Sequence, residues 1–313
     1  MDMTAVRPDP TPSGLGDAAE VVLLPRMPAA QAFARMVAGG LAQVAAALDA
    51  AAALDVEGIH DVRVGLRRTR APIALFEPCL GPAARSFDRR LREPARVLGA
   101  AREWDVLLTE SLPAAEADGM ARARVGALAD AVAAPRREAQ ASVLRTLAED
   151  FPALLPAVAA WAEDGARAPV LLGDAARLGR RTEILVPRLM DRLARRVRKQ
   201  ARGHRHADTV ALHKLRKRTK TLRYAAEALA PLYGRKAVKP LARHCKHLQD
   251  VLGRVNDAAS IPVLLDRLAA PPDSELAQAV AEVAAWARER GAHARGDVTK
   301  AWHAVRDTDP FWN

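Results

Sequence analysis

The chain is poor in several things that would direct it to other folds. Cysteine occurs twice in 313 residues, as Cys79 and Cys245. That is too few for a disulfide framework or a thiolate zinc site, and a reducing compartment is the expected setting. Aromatic residues make up 4%, and no stretch alternates with period two for long enough to predict a strand, so a β-sandwich is disfavoured. Long hydrophobic runs are missing. The longest uncharged stretch, Met36 to Leu48, contains Gly39-Gly40 and falls short of the ~20 apolar residues of a membrane span. Met1 to Ala19 carries no apolar signal core. The expectation is a soluble, cytoplasmic protein without a membrane partner. Walker loops, dinucleotide fingerprints and Gly-x-Ser-x-Gly elbows are lacking as well.

What the chain does have is alanine, leucine and positive charge. Half of its residues are hydrophobic, enough for a sizeable core, and the formal net charge is +11. The charge is parcelled. Arg180 to Tyr224 holds 16 Lys/Arg against 3 Asp/Glu, and His60 to Arg102 holds 10 against 4. Between them, Glu103 to Gly179 holds 7 against 12. An excess confined to two segments points to a polyanionic partner rather than to charge spread for solubility.

Residues 1–24, punctuated by Pro8, Pro10, Pro12 and Gly14, read as a flexible tail. From Pro25 onward the text is helical, with breaks expected at Gly58, Pro78, Gly81-Pro82, Gly99, Pro113, Pro135, Pro152, Gly173, Gly203, Gly234, Gly253, Pro271-Pro272 and Gly291. Pro72 and Pro187 are expected to kink or start helices. Over Leu185 to Arg202, Arg188, Arg192, Arg195, Lys199 and Arg202 share an arc of about 40° either side of Arg188, beside a stripe of Leu189, Leu193 and Val197. Arg85, Arg89, Arg92 and Arg96 repeat the same spacing.

The chain also resembles itself. His60-x-x-Arg63-x-x-x-Arg67-x-x-Arg70 matches His213-x-x-Arg216-x-x-x-Lys220-x-x-Arg223 at an offset of 153. Arg85, Arg89 and Arg92 match Lys239, Arg243 and Lys246 at 154, as Leu98-Gly99 matches Leu252-Gly253, and Arg35 matches Arg188 at 153. The constant offset predicts two related helical halves, 25–175 and 176–313, facing each other about a pseudo-twofold. Within each ladder the histidine and its three cations lie inside an arc of about 80°. Like charges at such spacings repel by a few tenths of a kcal/mol per pair, so a compensating anion is expected.

These stretches resemble the CHAD domain, the conserved histidine α-helical domain, from about Val21 to Trp312. The resemblance is carried by His60–Phe76, Leu98–Leu108, His213–Leu232 with its Leu222-Arg223-Tyr224 run, Leu248-Gln249-Asp250 through Asp257, and Phe311-Trp312. It implies an all-α fold of two four-helix-bundle-like halves around a central basic groove. It also implies binding of inorganic polyphosphate and association with polyphosphate granules. No N-terminal triphosphate-tunnel domain, and so no triphosphatase, is expected. The chain departs from the family in its first helix, Ala29 to Leu54, which is nearly uncharged beyond Arg35, and at Glu103, which stands where an aspartate is usual. The basic surface is therefore expected to be weighted to the second half.

Three function classes follow. The leading one is a noncatalytic, cofactor-free binder of linear polyphosphate, since phosphates call for multidentate guanidinium donors. Its candidate residues are His60, Arg63, Arg67, Arg70, Arg89, Arg92, Arg188, Arg192, Arg195, Lys199, His213, Arg216, Lys220, Arg223, Arg243 and Lys246. A histidine phosphotransfer or other phosphate-transfer protein is the second class, because a helix-borne histidine among cations also describes such bundles. A nucleic-acid binder is the third; against it, no aromatic platform interleaves with the basic stripes. Metal ligation is disfavoured at His60, His213, His204-x-His206 and His244-x-x-His247 by the cationic setting. Glu103, Asp105, Asp250 and Asp257 read as helix caps or arginine partners rather than catalytic acids. Tyr224 and the tryptophans read as core.

Overall fold

Capped, alanine- and leucine-rich segments fold here as helices. The structure, a computed structural model, describes residues 21–167 and 177–313, and every regular element among them is helical. In chain order they are α1 (Ala29–Ala52), α2 (Val56–Val106), α3 (Leu112–Ala117), α4 (Arg122–Glu149), α5 (Phe151–Arg167), α6 (Thr182–Ala201), α7 (Thr209–Ala228), α8 (Ala230–Tyr233), α9 (Arg235–Leu265) and α10 (Glu275–Arg306). No helix among the described residues is long and apolar enough to cross a membrane.

Residues 153 apart recur in matching structural roles. Asp55 caps α2 by accepting from the Gly58 N–H at 2.7 Å, and Asp208 caps α7 by accepting from the Ala211 N–H at 2.6 Å. Each cap satisfies a backbone donor that the first helical turn would leave unpaired. The starts of α1 and α6 are tied to each other. The Ala29 N–H donates to Arg180 O and the Thr182 N–H donates to Met27 O, both at 2.9 Å, around an antiparallel bridge between Pro28 and Arg181. Gly81 bends α2 at φ 68°, ψ −166°. Gly234, at φ 85°, ψ 140°, turns the chain into α9. An L side chain is strained at either angle, so glycine is required.

Several expected breaks do not occur. Pro78 and Gly99 lie within α2, Pro135 within α4, Gly253 within α9 and Gly291 within α10. Inside α2 the only non-helical residue is Gly81, so Pro72 does not break it, and Pro187 lies within α6. The interior glycines serve packing instead. A Cβ on Gly291 would run into the Ala258 side chain and lie 3.3 Å from Arg254 O, so α10 rests directly on α9. A Cβ on Gly40 would come within 2.5 Å of the Thr69 backbone nitrogen, which fixes α1 hard against α2. The Gly173 break lies outside the described residues, as do residues 1–20 of the expected tail. The described part, Val21–Leu24, behaves otherwise than as a tail. Leu23 is buried in the core, and Val22 O accepts from Arg35 at 2.8 Å.

The main core runs through both sides of the repeat. Phe33, Leu66 and Leu91 share one apolar cluster with Met190, Leu215, Leu248 and Trp302. A smaller cluster around Trp104, Leu128, Val132, Leu264 and Val283 joins α2, α4, α9 and α10. Full burial of each such side chain contributes about 1.5–3 kcal/mol. The end of the chain is pinned too. Trp312 is buried, its Nε1–H donates to Asp191 Oδ1 at 3.0 Å, and Phe311 meets Tyr233 edge-on at 5.3 Å.

Gly81→Ala should destabilise the protein by about 1–3 kcal/mol, because alanine cannot relax at that φ. Gly126→Ala, at an exposed position inside α4 with open space around it, should stabilise by about 0.5–1 kcal/mol. Urea unfolding of the two variants measures both; a neutral Gly81→Ala would mean that the bend tolerates another conformation.

Candidate anion-binding site

The buried face of α7 sets its rotation. Leu212, Leu215, Thr219 and Leu222 turn to the core, and the Thr219 hydroxyl donates back to Leu215 O at 2.9 Å. On α2, Ile59, Val62, Leu66 and Thr69 do the same, with the Thr69 hydroxyl donating to Gly65 O at 3.0 Å. Helices α2 and α7 pack on each other. The half-buried cations left at their junction are Arg63 and Arg67 from α2, and Arg216, Lys220 and Arg223 from α7.

Tyr224 organises this cluster. Its ring lies under two guanidiniums, Arg223 at 4.6 Å and Arg67 at 5.3 Å from the centroid, and its hydroxyl accepts from Arg223 at 2.8 Å. Arg223 also reaches the Glu227 carboxylate at 3.5 Å. The side chains of Arg63 and Lys220 make no hydrogen bond or ion pair among the described residues, although the Arg67 Nε–H donates to Arg63 O at 3.2 Å. Burial, followed by repulsion from Arg67 and Arg102, pushes the Arg63 guanidinium down to about 10, where it is still charged at neutral pH. Burial pushes the Lys220 amine down to about 6, with Arg216, Arg67, Arg63 and Arg223 adding like-charge repulsion.

Two glycines stand beside two of these arginines. Positions 99 and 253 bear no Cβ; one placed there would lie 4.0 Å from an Arg63 guanidinium nitrogen and 3.6 Å from one of Arg216. A Cβ at either position would thus touch the guanidinium in ordinary van der Waals contact. Beyond each arginine stands a carboxylate, Glu103 toward Arg63 and Asp257 toward Arg216. Desolvation by the surrounding protein raises the pKa of both acids, against the pull of the arginine. The Arg216 Nε–H donates to Gln249 O at 3.4 Å.

Each histidine is repelled mainly by cations of its own half. Both pKa values are lowered, and in both burial is the larger cause; like charge, the cause expected from spacing alone, comes after it. At His60 the repelling cations are Arg67, Arg102 and Arg63; at His213 they are Lys217, Arg216 and Lys220. His213 Nδ1 lies 2.6 Å from Asn256 Oδ1. A carbonyl oxygen cannot donate, so Nδ1 carries the hydrogen.

The other candidates lie away from the centre. Arg70 and Arg92 share Asp88, at 2.9 and 2.5 Å, while Arg89 lines the same cavity. Arg192 places two nitrogens 3.0 Å from Glu77 Oε2. Arg188, Arg195 and Lys199 are exposed on α6, with Arg195 3.9 Å from Asp191. Arg243 is exposed beside His244, and Lys246 lies 3.3 Å from Asp250. Of the four carboxylates read as caps or partners, Asp105 takes Arg136 at 2.8 Å. Among the described residues no three His, Cys, Asp or Glu side chains converge as a metal site.

Sequence reading missed Tyr224 as a site residue because a buried tyrosine in a helical run looks like core. The signal was its place next to Arg223 inside a cationic ladder. Arg196 and Arg218 were missed because they lie off the counted stripes; Arg218 donates to Arg196 O at 3.1 Å.

Comparison with known proteins identifies the fold and the family. The CHAD domain family profile matches residues 35–266. The crystal structure of the CHAD domain from the plant Ricinus communis superposes with a TM-score of 0.78 at 23% identity, over 93% of this chain and 96% of that one. PptA from Streptomyces chartreusis superposes with a TM-score of 0.68 at 19% identity, over 88% of this chain and 100% of that one. No curated protein sequence matches the chain.

The state of Lys220 is testable through stability. Its amine titrates near 6 in the fold and near 10.4 in an unfolded chain. Between those values the unfolded state binds the extra proton, so this group makes stability rise with pH across that window. Lys220→Met should therefore raise Tm at neutral pH by about 2 °C or more, and the gain should vanish above pH 10.5. Calorimetry from pH 6 to 11 measures it; a lower Tm at neutral pH would show that the amine is not under strain.

Proposed function

The chain belongs to the CHAD domain family, and from that premise we propose that it binds inorganic polyphosphate along the strip where α2 meets α7. The halves 25–175 and 176–313 each supply one wall, related by an approximate twofold, and His60 and His213 flank the strip. The observation that carries the reading is the joining of Arg63, Arg67, Arg216, Lys220 and Arg223 at one helix junction, with Glu227, among the described residues, the only carboxylate paired directly to them. Four half-buried guanidiniums around an amine driven to its neutral form are destabilising by themselves, and an anion of matching length relieves them. Polyphosphate brings one negative charge per repeat on a flexible chain, and each guanidinium can hold two of its oxygens.

The same geometry disfavours single-stranded nucleic acid. Tyr224 is the aromatic ring at the junction, it is buried, and Arg67 and Arg223 already lie over it. It offers no free face for a base to stack on. The function is thus binding rather than catalysis, and in a cell it would place the protein on polyphosphate granules in the cytoplasm.

Binding of polyphosphate and RNA at one salt concentration tests the reading. Polyphosphate should bind more tightly, and Arg216→Ala/Arg223→Ala should weaken it at least tenfold. The same variant should flatten the salt dependence by about 0.7 in log–log slope for each phosphate it no longer neutralises, taking single-stranded nucleic acid as the analogue. Equal affinity for RNA, or a variant with unchanged slope, would overturn it.

Binding should also take up a proton, and chiefly at Lys220. A bound polyanion raises the pKa of the amine from its value near 6, so affinity rises as pH falls through the bound-state pKa and levels off below the free one. Calorimetry in buffers of different ionisation enthalpy should show uptake at pH 7.5 that Lys220→Met removes. His60→Gln and His213→Gln should leave most of it. An acid-labile phosphate on the protein that is lost in the histidine variants would favour phosphotransfer instead.

A further inference from the structure

The bend of α2 at Gly81 opens a cavity of about 600 Å³ between the two arms of that helix, α6 and α7. Its walls carry Arg70, Arg85, Arg89, Arg92, Arg196 and Arg218, over a floor that includes Ile73, Ala84 and Leu193. The acids lining it are Glu77 and Asp88. Glu77 holds Arg192 at 3.0 Å and both Arg85 and Arg196 at 3.8 Å. Asp88 holds Arg70 and Arg92. Arg89 and Arg218 have no carboxylate partner among the described residues. Six guanidiniums on the walls, with Arg192 beside them, thus face two carboxylates in a concave, partly apolar setting, and a cleft lined by one sign of charge concentrates counter-ions.

Ordinary helix-to-helix ion pairing needs one arginine per acid. Here a single carboxylate is surrounded by three guanidiniums, the arrangement that a phosphoryl group with its additional oxygen would satisfy better. Burial lowers the pKa of Arg196, repulsion from Arg192 adds to it, and attraction to Glu77 opposes it. The groove is also not repeated. The residues 153 positions from Arg196, Arg218 and Glu77 are Gln43, Gly65 and Ala230, so the bend at Gly234 lacks its counterpart.

We propose that this groove is a second phosphoryl-anion site, one per chain, in which a short linear phosphate or the end of a longer one takes the place of the Glu77 carboxylate among Arg85, Arg192 and Arg196. The site goes beyond the α2–α7 strip and does not depend on it. Glu77 acts there as an internal competitor that swings aside when the ligand enters.

Titration calorimetry of the full chain with tripolyphosphate tests it. The wild-type protein should bind two equivalents. Arg196→Ala/Arg218→Ala should lose one and keep the other, and Arg216→Ala/Arg223→Ala should do the reverse. Glu77→Gln should keep two and tighten the groove site severalfold, a gain that damaged folding could not produce. Long-chain polyphosphate separates the two sources. If the end of a chain fills the groove, Arg196→Ala/Arg218→Ala weakens long-chain binding; if free short phosphates fill it, long-chain affinity stays while tripolyphosphate stoichiometry falls to one. One equivalent in the wild type that only Arg216→Ala/Arg223→Ala removes would overturn the groove and leave the central strip standing. Binding lost only in the groove variant would sink the strip and leave the groove. Two sites that survive in Arg196→Ala/Arg218→Ala, or a Glu77→Gln variant that binds no more tightly, would also overturn the groove.

Discussion

The cost of holding several cations together, half out of water, shapes the rest of this molecule. Arg63, Arg67, Arg216 and Arg223 crowd the α2–α7 junction, burial and their repulsion strip the Lys220 amine of its proton near pH 6, and only a rigid frame can keep them there. The frame is visible in the details. Aspartate caps start both helices, their buried apolar faces fix the rotation, and a tyrosine ring lies beneath two of the guanidiniums. The continuous apolar core around them supplies the stability that the cluster withdraws.

The molecule handles its positive charge in two ways. At the centre, Lys220 and Arg63 are left without a paired acid among the described residues, and Lys220 gives up its proton near pH 6. At the α2 bend, charge is retained and partly neutralised by Glu77 and Asp88. One arrangement stores its repulsion in a shifted protonation equilibrium, the other in crowded ion pairs. An anion, long or short, would lower the repulsion in both.

The ladders were legible in the sequence because they obey the helical period, and the period survives folding. His60 through Arg70 and His213 through Arg223 stand on single helices, and the 153-residue offset reappears in caps, bends and backbone pairing. What escaped was contact between distant segments. Glu77 and Arg192 are 115 residues apart, and nothing local in either one announces the other. Interior glycines were misread for a related reason. Gly253 and Gly291 look like punctuation in one dimension, but their small size matters only against a neighbouring helix or guanidinium. Tyr224 escaped because burial and function look like alternatives in a sequence, whereas a buried ring can face cations as readily as leucines. The histidine shifts had the expected direction, with burial rather than charge as the leading cause, a quantity that no spacing encodes.

The exchange at the starts of α1 and α6 has a further meaning. Met27 and Arg180 each offer a carbonyl, Ala29 and Thr182 each offer an N–H, and each pairs only with its opposite number. A fragment holding one such donor and one such acceptor would find both answered by a second copy of itself. The contact that closes this chain on itself is thus the same contact that would join two separate polypeptides of half the length.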